Sequence, residues 1–220
     1  MRIKGLQLLS DDLEGTASFY FGVLGLAILH QSDEELQLAA GETVLSFHRS
    51  QGQKPQYHFA FNIPCNKIEE ALAWMQGKAP ILEMEPGQAI ADFSNWNAKA
   101  FYFADNNENV VEFIARNDLQ NASSAPFDAS SLLSVSEVGI VSDDVAGQCA
   151  QLMEQYGIGY FPKQPPSSRF AVLGDDQGLF IVVPHSREWY PTKVLSTKHW
   201  LRVDFEAAGR GAILELYSRP

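Results

Sequence analysis

The order of strand and helix signals repeats along this chain, and the repetition limits the folds open to it. In the first unit one helix pattern follows the polar segment Ser10-Asp11-Asp12 and ends near Gly22 and Gly25. Asp and Ser are typical of helix starts and Gly of helix ends. Four strand patterns surround this helix, at residues 3–9, 27–30, 36–40 and 43–47. The first unit is therefore predicted to be βαβββ.

The same order begins again at Tyr57. A strand pattern over 57–63 precedes a helix pattern from Asn66 through Trp74, and further strand patterns lie around Ile81, Ala100 and Val110. Glu69 follows Asn66 by three residues, which predicts a capping box at the start of this helix. The front half thus holds two copies of one unit.

The back half contains a third copy and a shortened fourth. The third has strand patterns at 135–141, 170–173 and 179–183, with a helix that Asp143 or Asp144 caps and Gly157 ends. In the fourth, strand 198–205 passes through residues 206–211 directly into strand 212–217, so its helix is missing.

One such unit cannot close its own core, so the copies are expected to pair. Residues 121–131 are small and turn-forming, which predicts a linker. We therefore expect two module pairs in chain order: residues 1–119, a linker at 120–131, and a truncated second pair at 132–220.

Charge and composition restrict the classes of partner that this chain is expected to bind. With 45% hydrophobic residues among 220, the chain can bury a substantial core. The formal charge of −11 argues against nucleic acid and anionic membranes, because binding to phosphate relies on Lys and Arg. A small-molecule substrate or ligand is the better partner, bound by a monomer or a homodimer.

The two cysteines, Cys65 and Cys149, imply no disulfide framework and fit a reducing cytoplasm. No apolar run approaches the length of a membrane span, and nothing marks export. A cytoplasmic location is therefore expected.

Two charged residues stand inside apolar strand patterns. His58 begins the run His-Phe-Ala-Phe, and Glu112 lies within Asn109-Val-Val-Glu-Phe-Ile114. An imidazole and a carboxylate on facing strands begin a divalent-metal site, and burying an unpaired carboxylate is costly. The alternatives are a structural histidine and a pair between Glu112 and Arg116.

Four segments together resemble the vicinal oxygen chelate superfamily, which includes glyoxalase I, extradiol dioxygenases, fosfomycin-resistance proteins and bleomycin-binding proteins. They are residues 12–20, 23–26, 58–61 and 101–112. The resemblance implies an α+β fold of tandem βαβββ modules paired into two cup-shaped half-barrels, with a metal or ligand on the inner wall. The last module would lack its helix.

The resemblance also implies where metal ligands belong. In the first module the ligand positions fall on Gly5 and Ser46, which are missing or poor ligands. In the second they fall on His58 and Glu112, the preferred pair for iron, zinc, manganese or nickel. Tyr102 resembles the tyrosine that fosfomycin-resistance proteins direct at substrate, so Glu112 and Tyr102 are the candidate catalytic residues.

The back half offers a weaker alternative under the same alignment. Glu137, His199 and Glu215 take ligand positions there, and Val182 replaces a carboxylate. Because successive strand residues face opposite ways, a slip of one residue would turn such a group outward.

Three further features are candidates for ligand contact. Gln7 would share the face of Gly5, and Trp96 could form a stacking wall, although core packing explains each as well. The aromatic and basic segment 187–192 either closes over a pocket or docks the two halves.

These residues leave two main functions open. A third possibility is a degenerate module pair that serves protein assembly. One is a glyoxalase-like or dioxygenase-like enzyme, a metal-dependent lyase, isomerase or ring-cleaving dioxygenase acting on a small vicinal-oxygen metabolite. The other is a metal-free protein that sequesters a small molecule, as bleomycin-resistance relatives do, without any cofactor. The fold does not choose between them.

Overall fold

The computed structural model describes residues 1–219, which form fourteen strands and three α-helices. The strands are β1 (Arg2–Ser10), β2 (Ala27–Gln31), β3 (Glu35–Ala40), β4 (Thr43–Arg49), β5 (His58–Ile63), β6 (Ile81–Leu82), β7 (Ala91–Phe93), β8 (Ala98–Ala104), β9 (Val110–Arg116), β10 (Ser134–Ser142), β11 (Ala171–Asp175), β12 (Gly178–Pro184), β13 (Leu201–Ala207) and β14 (Arg210–Leu216). The helices are α1 (Leu13–Ala17), α2 (Ile68–Met75) and α3 (Val145–Tyr156).

Two of the three helices begin where the sequence predicts. The Asp12 carboxylate accepts from the Gly15 amide at the start of α1, which continues into a π-helical turn over Ser18–Val23. Asp144 caps α3 in the same way, and left-handed Gly157 ends it.

The capping box predicted for α2 is wrong. This helix begins at Ile68 without a side-chain cap, and the amide of Asn66 instead donates to the carbonyl of Ser123. The side chain therefore ties the helix start to a segment distant in sequence.

The strands form two mixed sheets, and neither closes into a barrel. The six-stranded sheet has the order β14-β13-β1-β4-β3-β2, and the eight-stranded sheet has the order β11-β12-β10-β5-β9-β8-β6, with β7 paired to β8. The predicted α+β class of βαβββ modules is confirmed. The last module is the hairpin β13–β14 and has no helix, as expected.

The predicted pairing of modules in chain order is wrong. β1 pairs antiparallel with β13, so the first module joins the fourth, and β5 pairs antiparallel with β10, so the second joins the third. Residues 120–131 accordingly connect two strands of one sheet rather than two separate cups. Strand periodicity fixes which face of a strand is buried but does not state which edge the strand will meet, so either pairing satisfies the sequence.

The main core lies between the two sheets, and the eight-stranded sheet is buried on both of its faces. On β9, Val111 and Phe113 enter the main core, whereas Val110 and Ile114 belong to a second apolar cluster on the opposite face. This alternation has period two. It directs Glu112, between Val111 and Phe113, towards the second face.

Candidate metal and ligand site

A cavity of about 230 Å³ lies on the second face of the eight-stranded sheet. Its lining combines two carboxylates, one imidazole, one guanidinium and many aromatic rings: His58, Phe93, Trp96, Tyr102, Glu112, Glu137, Gln164, Phe170, Ile181, Arg187, Trp189 and Tyr190. Small-molecule sites usually have volumes of about 300–1,000 Å³. This cavity is therefore suited to a compact metabolite.

Three buried ligand-type side chains meet on its wall because their strands are neighbours. His58 begins β5, Glu112 lies on β9 and Glu137 lies on β10, and both carboxylate residues are the register partners of Ala60. One atom from each of the three lies within 4.8 Å of the others. In residues 1–219 no other group of His, Cys, Asp and Glu has this geometry.

His58 is held as a neutral imidazole. Its Nδ1 lies 3.0 Å from the Val110 carbonyl, which can only accept, so Nδ1 carries the proton and Nε2 keeps a lone pair. Burial lowers the pKa of His58 to about 4, and the nearby Arg187 charge acts in the same direction. Backbone-oriented neutral histidines of this kind are typical metal ligands.

Glu137 is anchored by a buried arginine. One of its oxygens, Oε1, accepts from Arg116, whose side chain is fully buried. Arg116 also donates to Asn62 through Nε, at 3.2 Å. Burial raises the pKa of Glu137, and the guanidinium opposes this effect. The second oxygen of Glu137 has no protein partner in residues 1–219 and is available to a ligand.

Glu112 is the less compensated of the two carboxylates. Burial and the neighbouring Glu137 raise its pKa well above the usual value, while Arg116 and the Tyr102 hydroxyl lower it. Tyr102 is its direct cross-strand partner on β8. Burial and the same carboxylates raise the pKa of Tyr102, so its hydroxyl stays protonated and can act as a donor.

These residues fit a divalent cation. Two carboxylates against the single guanidinium of Arg116 leave one negative charge, which a proton or a cation must balance. The His58 Nε2 to Glu112 Oε2 distance is 3.7 Å. Metal–nitrogen and metal–oxygen bonds of about 2.0–2.2 Å allow two ligands of one ion to lie up to about 4.3 Å apart.

Aromatic residues close the remaining sides. Trp189 lies over His58 with ring centroids 5.1 Å apart, and Tyr190 packs edge-on against Tyr102 at 5.6 Å. Trp96, a predicted ligand wall, does line the cavity, and its indole donates to Gln164 at 3.2 Å. Segment 187–192 thus covers the cavity, one of the two roles considered for it.

Gln7 does not reach this cavity. It lies on β1 in the other sheet, where its side-chain oxygen is 3.1 Å from the His48 ring. Gln7 therefore does not share a cavity with His58 and Glu112, because β1 pairs with β4 and β13 rather than with β5.

The alternative trio of Glu137, His199 and Glu215 is also wrong. His199 precedes β13 and bonds to Thr197, and Glu215 on β14 accepts from the Trp200 indole at 2.8 Å. Glu215 belongs to the six-stranded sheet and His199 packs against Tyr57 with ring centroids 5.7 Å apart, whereas Glu137 lies on the eight-stranded sheet beside His58 and Glu112. Glu137 therefore joins His58 and Glu112.

The ligand position predicted at Val182 is instead occupied by the preceding residue, Ile181. Ile181 lines the cavity, whereas Val182 packs in the main core. The register pairs Glu137 with Leu179, so the residue equivalent to Glu112 lies two further along, at Ile181. The chain thus supplies three ligand-type residues, and the fourth position is apolar.

The sequence predicts Arg187, Trp189 and Tyr190 only as part of the segment 187–192, and it predicts Glu137 in a different site. Alternation gives a signal for the first group: Arg187 and Trp189 line the cavity while Glu188 points out to pair with Lys193. Buried Ser196 fixes the loop by accepting from the Arg187 amide and donating to the Pro184 carbonyl.

Within residues 1–219, none of the helices has the length and apolar character needed to cross a membrane. Cys65 and Cys149 are free thiols.

No protein-family model matches this sequence, and neither does any curated protein. Solved structures do match. A mutant of glyoxalase I from Zea mays aligns with a TM-score of 0.57 and 16% identity, over 89% of this chain and 71% of the maize chain. A candidate dioxygenase from Bacillus subtilis aligns with a TM-score of 0.59 and 14% identity, over 83% of this chain and 63% of that one.

At such identities the likeness concerns the fold. The module order, the two mixed sheets and these neighbours agree with one another. The protein therefore has the fold of these glyoxalase-like structures, as the resemblance to the vicinal oxygen chelate superfamily predicts.

Proposed function

We propose that this protein is a metal-dependent enzyme acting on a small oxygen-bearing metabolite, with a divalent ion held by His58, Glu112 and Glu137. The observation that carries the proposal is the convergence of these three buried side chains on one cavity wall. A divalent ion at this place would supply Lewis-acid chemistry to a substrate oxygen. The same fold hosts both isomerising and oxygen-dependent enzymes, so the reaction class stays open.

The chain's own residues have distinct roles in this proposal. His58 offers the lone pair of Nε2, because the Val110 carbonyl holds the proton on Nδ1. Arg116 fixes one oxygen of Glu137 and leaves the other free. Tyr102 stays protonated beside Glu112 and can donate to a substrate oxygen. Glu112 supplies a carboxylate oxygen that lies 3.7 Å from His58 Nε2.

Metal binding is the first test. Protein purified without chelator is expected to contain stoichiometric metal, or to take it up from zinc, manganese, iron(II) or nickel. The variants His58→Gln and Glu112→Gln are expected to lose affinity by about a hundred-fold or more, because each removes one of three protein ligands. Elemental analysis and calorimetric titration measure these values.

His199→Gln is the matched control, since His199 is a partly buried histidine that neither lines the cavity nor belongs to the group of three ligand-type residues. Its metal affinity should equal that of the wild type. Loss of metal in His199→Gln with retention in His58→Gln would contradict the proposed site.

Metal uptake should also release protons. The pKa of Glu112 is raised, so the metal-free protein holds a proton there at pH values where a free glutamate has lost it. A cation must displace that proton, and affinity therefore rises with pH up to the raised pKa. Titrations in two buffers of different ionisation enthalpy measure the release, which should disappear in Glu112→Gln. An affinity that falls as pH rises through this range would contradict the assignment.

One observation favours a second function. The fourth wall position is Ile181 and most of the lining is apolar or aromatic, which suits a protein that only binds a small molecule. In that case a proton on Glu112 balances the charge in place of the ion. Absence of metal uptake from all four cations would favour this second function.

A further inference from the structure

Arg187 is the one cation in the cavity wall that the charge balance of the metal site does not use. Its guanidinium carbon lies 5.0 Å from the centre of the Phe170 ring, and the side chain is half-buried. Within residues 1–219 no carboxylate lies within 4.0 Å of it and its side chain donates no hydrogen bond. Arg116, by contrast, is occupied by Glu137 and Asn62.

The position of this charge is fixed rather than free. The backbone of Arg187 exchanges hydrogen bonds with buried Ser196, and the Trp189 amide donates to the Val194 carbonyl at 2.8 Å. Glu188, between them, faces away and pairs with Lys193. The loop therefore places the Arg187 guanidinium in the cavity wall while the carboxylate of the adjacent Glu188 faces solvent.

The electrostatic field around Arg187 favours an anionic ligand. Partial burial and the adjacent Arg169 both lower the pKa of Arg187, which means that two cations lie close together in a protein of net charge −11. Because Arg187 has no acidic partner among the described residues, an anionic acceptor in the cavity would supply a charge-assisted hydrogen bond.

The rest of the lining restricts the body of the ligand. Trp96, Phe93 and Tyr190 present ring faces and edges around a cavity of about 230 Å³. Flat apolar groups fit such walls through stacked and edge contacts. A flexible or strongly hydrated body would lose its water without gaining hydrogen bonds.

We propose that the ligand is a compact flat molecule carrying an anionic group, a carboxylate or a phosphonate, which Arg187 binds in the cavity. This inference rests on the proposed site as the place of binding and adds the chemical class of the ligand. It does not require the metal, because Arg187 is separate from the three metal-binding candidates.

The test uses three probes that each carry one phenyl ring: the anions benzoate and phenylphosphonate and the neutral benzamide. Each is titrated into the full-length protein by calorimetry, once with chelator and once with saturating zinc. At least one anion should bind more tightly than benzamide, and Arg187→Met should weaken that anion by about ten-fold or more, since a charge-assisted hydrogen bond is lost. The better of the two anions identifies the group.

Arg210→Met, an exposed arginine at the β13–β14 turn, is the matched control and should bind as the wild type does. An unchanged melting temperature of Arg187→Met establishes that the loop is intact. Equal affinities for benzamide and the anions, no binding of either anion up to its solubility limit, or an unaltered affinity in Arg187→Met would each overturn the inference. Because the chelator arm is independent of metal, failure of the metal proposal alone leaves the anion result intact.

Discussion

Replacement of Arg116 by methionine is expected to destabilise the metal-free protein by about 3–5 kcal/mol, the usual effect of removing one partner from a buried ion pair. Arg116 is fully buried, and its guanidinium bonds to Glu137, lies 3.2 Å from Asn62 Oδ1 and is 3.6 Å from Asp176. Methionine fills similar space but leaves the buried Glu137 without a counter-charge. Urea unfolding in the presence of chelator measures the change.

A second variant separates the charge from the packing. Arg116→Met combined with Glu137→Gln removes both charges, so most of the lost stability should return. Lys193→Met is the control for an exposed pair, because Lys193 is 88% exposed and binds Glu188 at the surface. Its effect should stay below about 1 kcal/mol. If the double variant is no more stable than Arg116→Met, the charge on Glu137 is not the cause of the loss.

The second large effect is expected at Gly41, in the turn between β3 and β4. Its φ is 59°, a left-handed conformation, and an added Cβ would lie 2.0 Å from the Leu133 carbonyl oxygen. That same oxygen accepts from the Glu42 amide at 2.8 Å and thereby joins the turn to the approach to β10. Gly41→Ala is expected to lose roughly 3–5 kcal/mol, the sum of backbone strain and a close contact with rigid backbone.

Gly157→Ala is the matched control for Gly41→Ala. Gly157 also has a positive φ, of 67°, but nothing lies within 4 Å of the place its Cβ would take. It should therefore show only the strain of about 1–2 kcal/mol. Chemical denaturation of both variants gives the two values. Similar losses in the two would mean that the contact with Leu133 is relieved by a small movement of the turn.

Much of the secondary structure could be predicted from local signals. Asp12 and Asp144 cap helices as expected, and the apolar runs that contain His58 and Glu112 form the strands β5 and β9. Placing these two residues together also needed only neighbouring strands, since β5 and β9 belong to one module. Such information lies within a short stretch of chain and survives without knowledge of the tertiary fold.

The place of Glu137 in the site could not be predicted from such local signals. Glu137 reaches His58 only because β10 pairs with β5, and a register irregularity between Val135 and Glu137 sets its position. Gln7 lies outside this cavity for the same reason, since β1 pairs with β13, a strand distant in sequence. Hydrophobic alternation is identical for either partner edge, so long-range pairing is decided by the whole packed core.

The one-residue difference between the predicted Val182 and the observed Ile181 has a simpler physical cause. Both are buried apolar residues on β12, a strand covered on both faces. A strand buried on both faces shows a continuous apolar run and no alternation. Without a polar residue to mark one face, the sequence left a one-residue uncertainty that the pairing with β10 resolves.

The nested order of the modules has a consequence for biosynthesis. The eight-stranded sheet uses a continuous stretch, residues 58–184, whereas β1 cannot pair with β13 until all of that stretch has been synthesised. Until then one edge of β1 has no neighbour, and open strand edges promote association between nascent chains. The yield of native protein should therefore depend on chaperones and on growth temperature, because the pairing of β1 with β13 forms late.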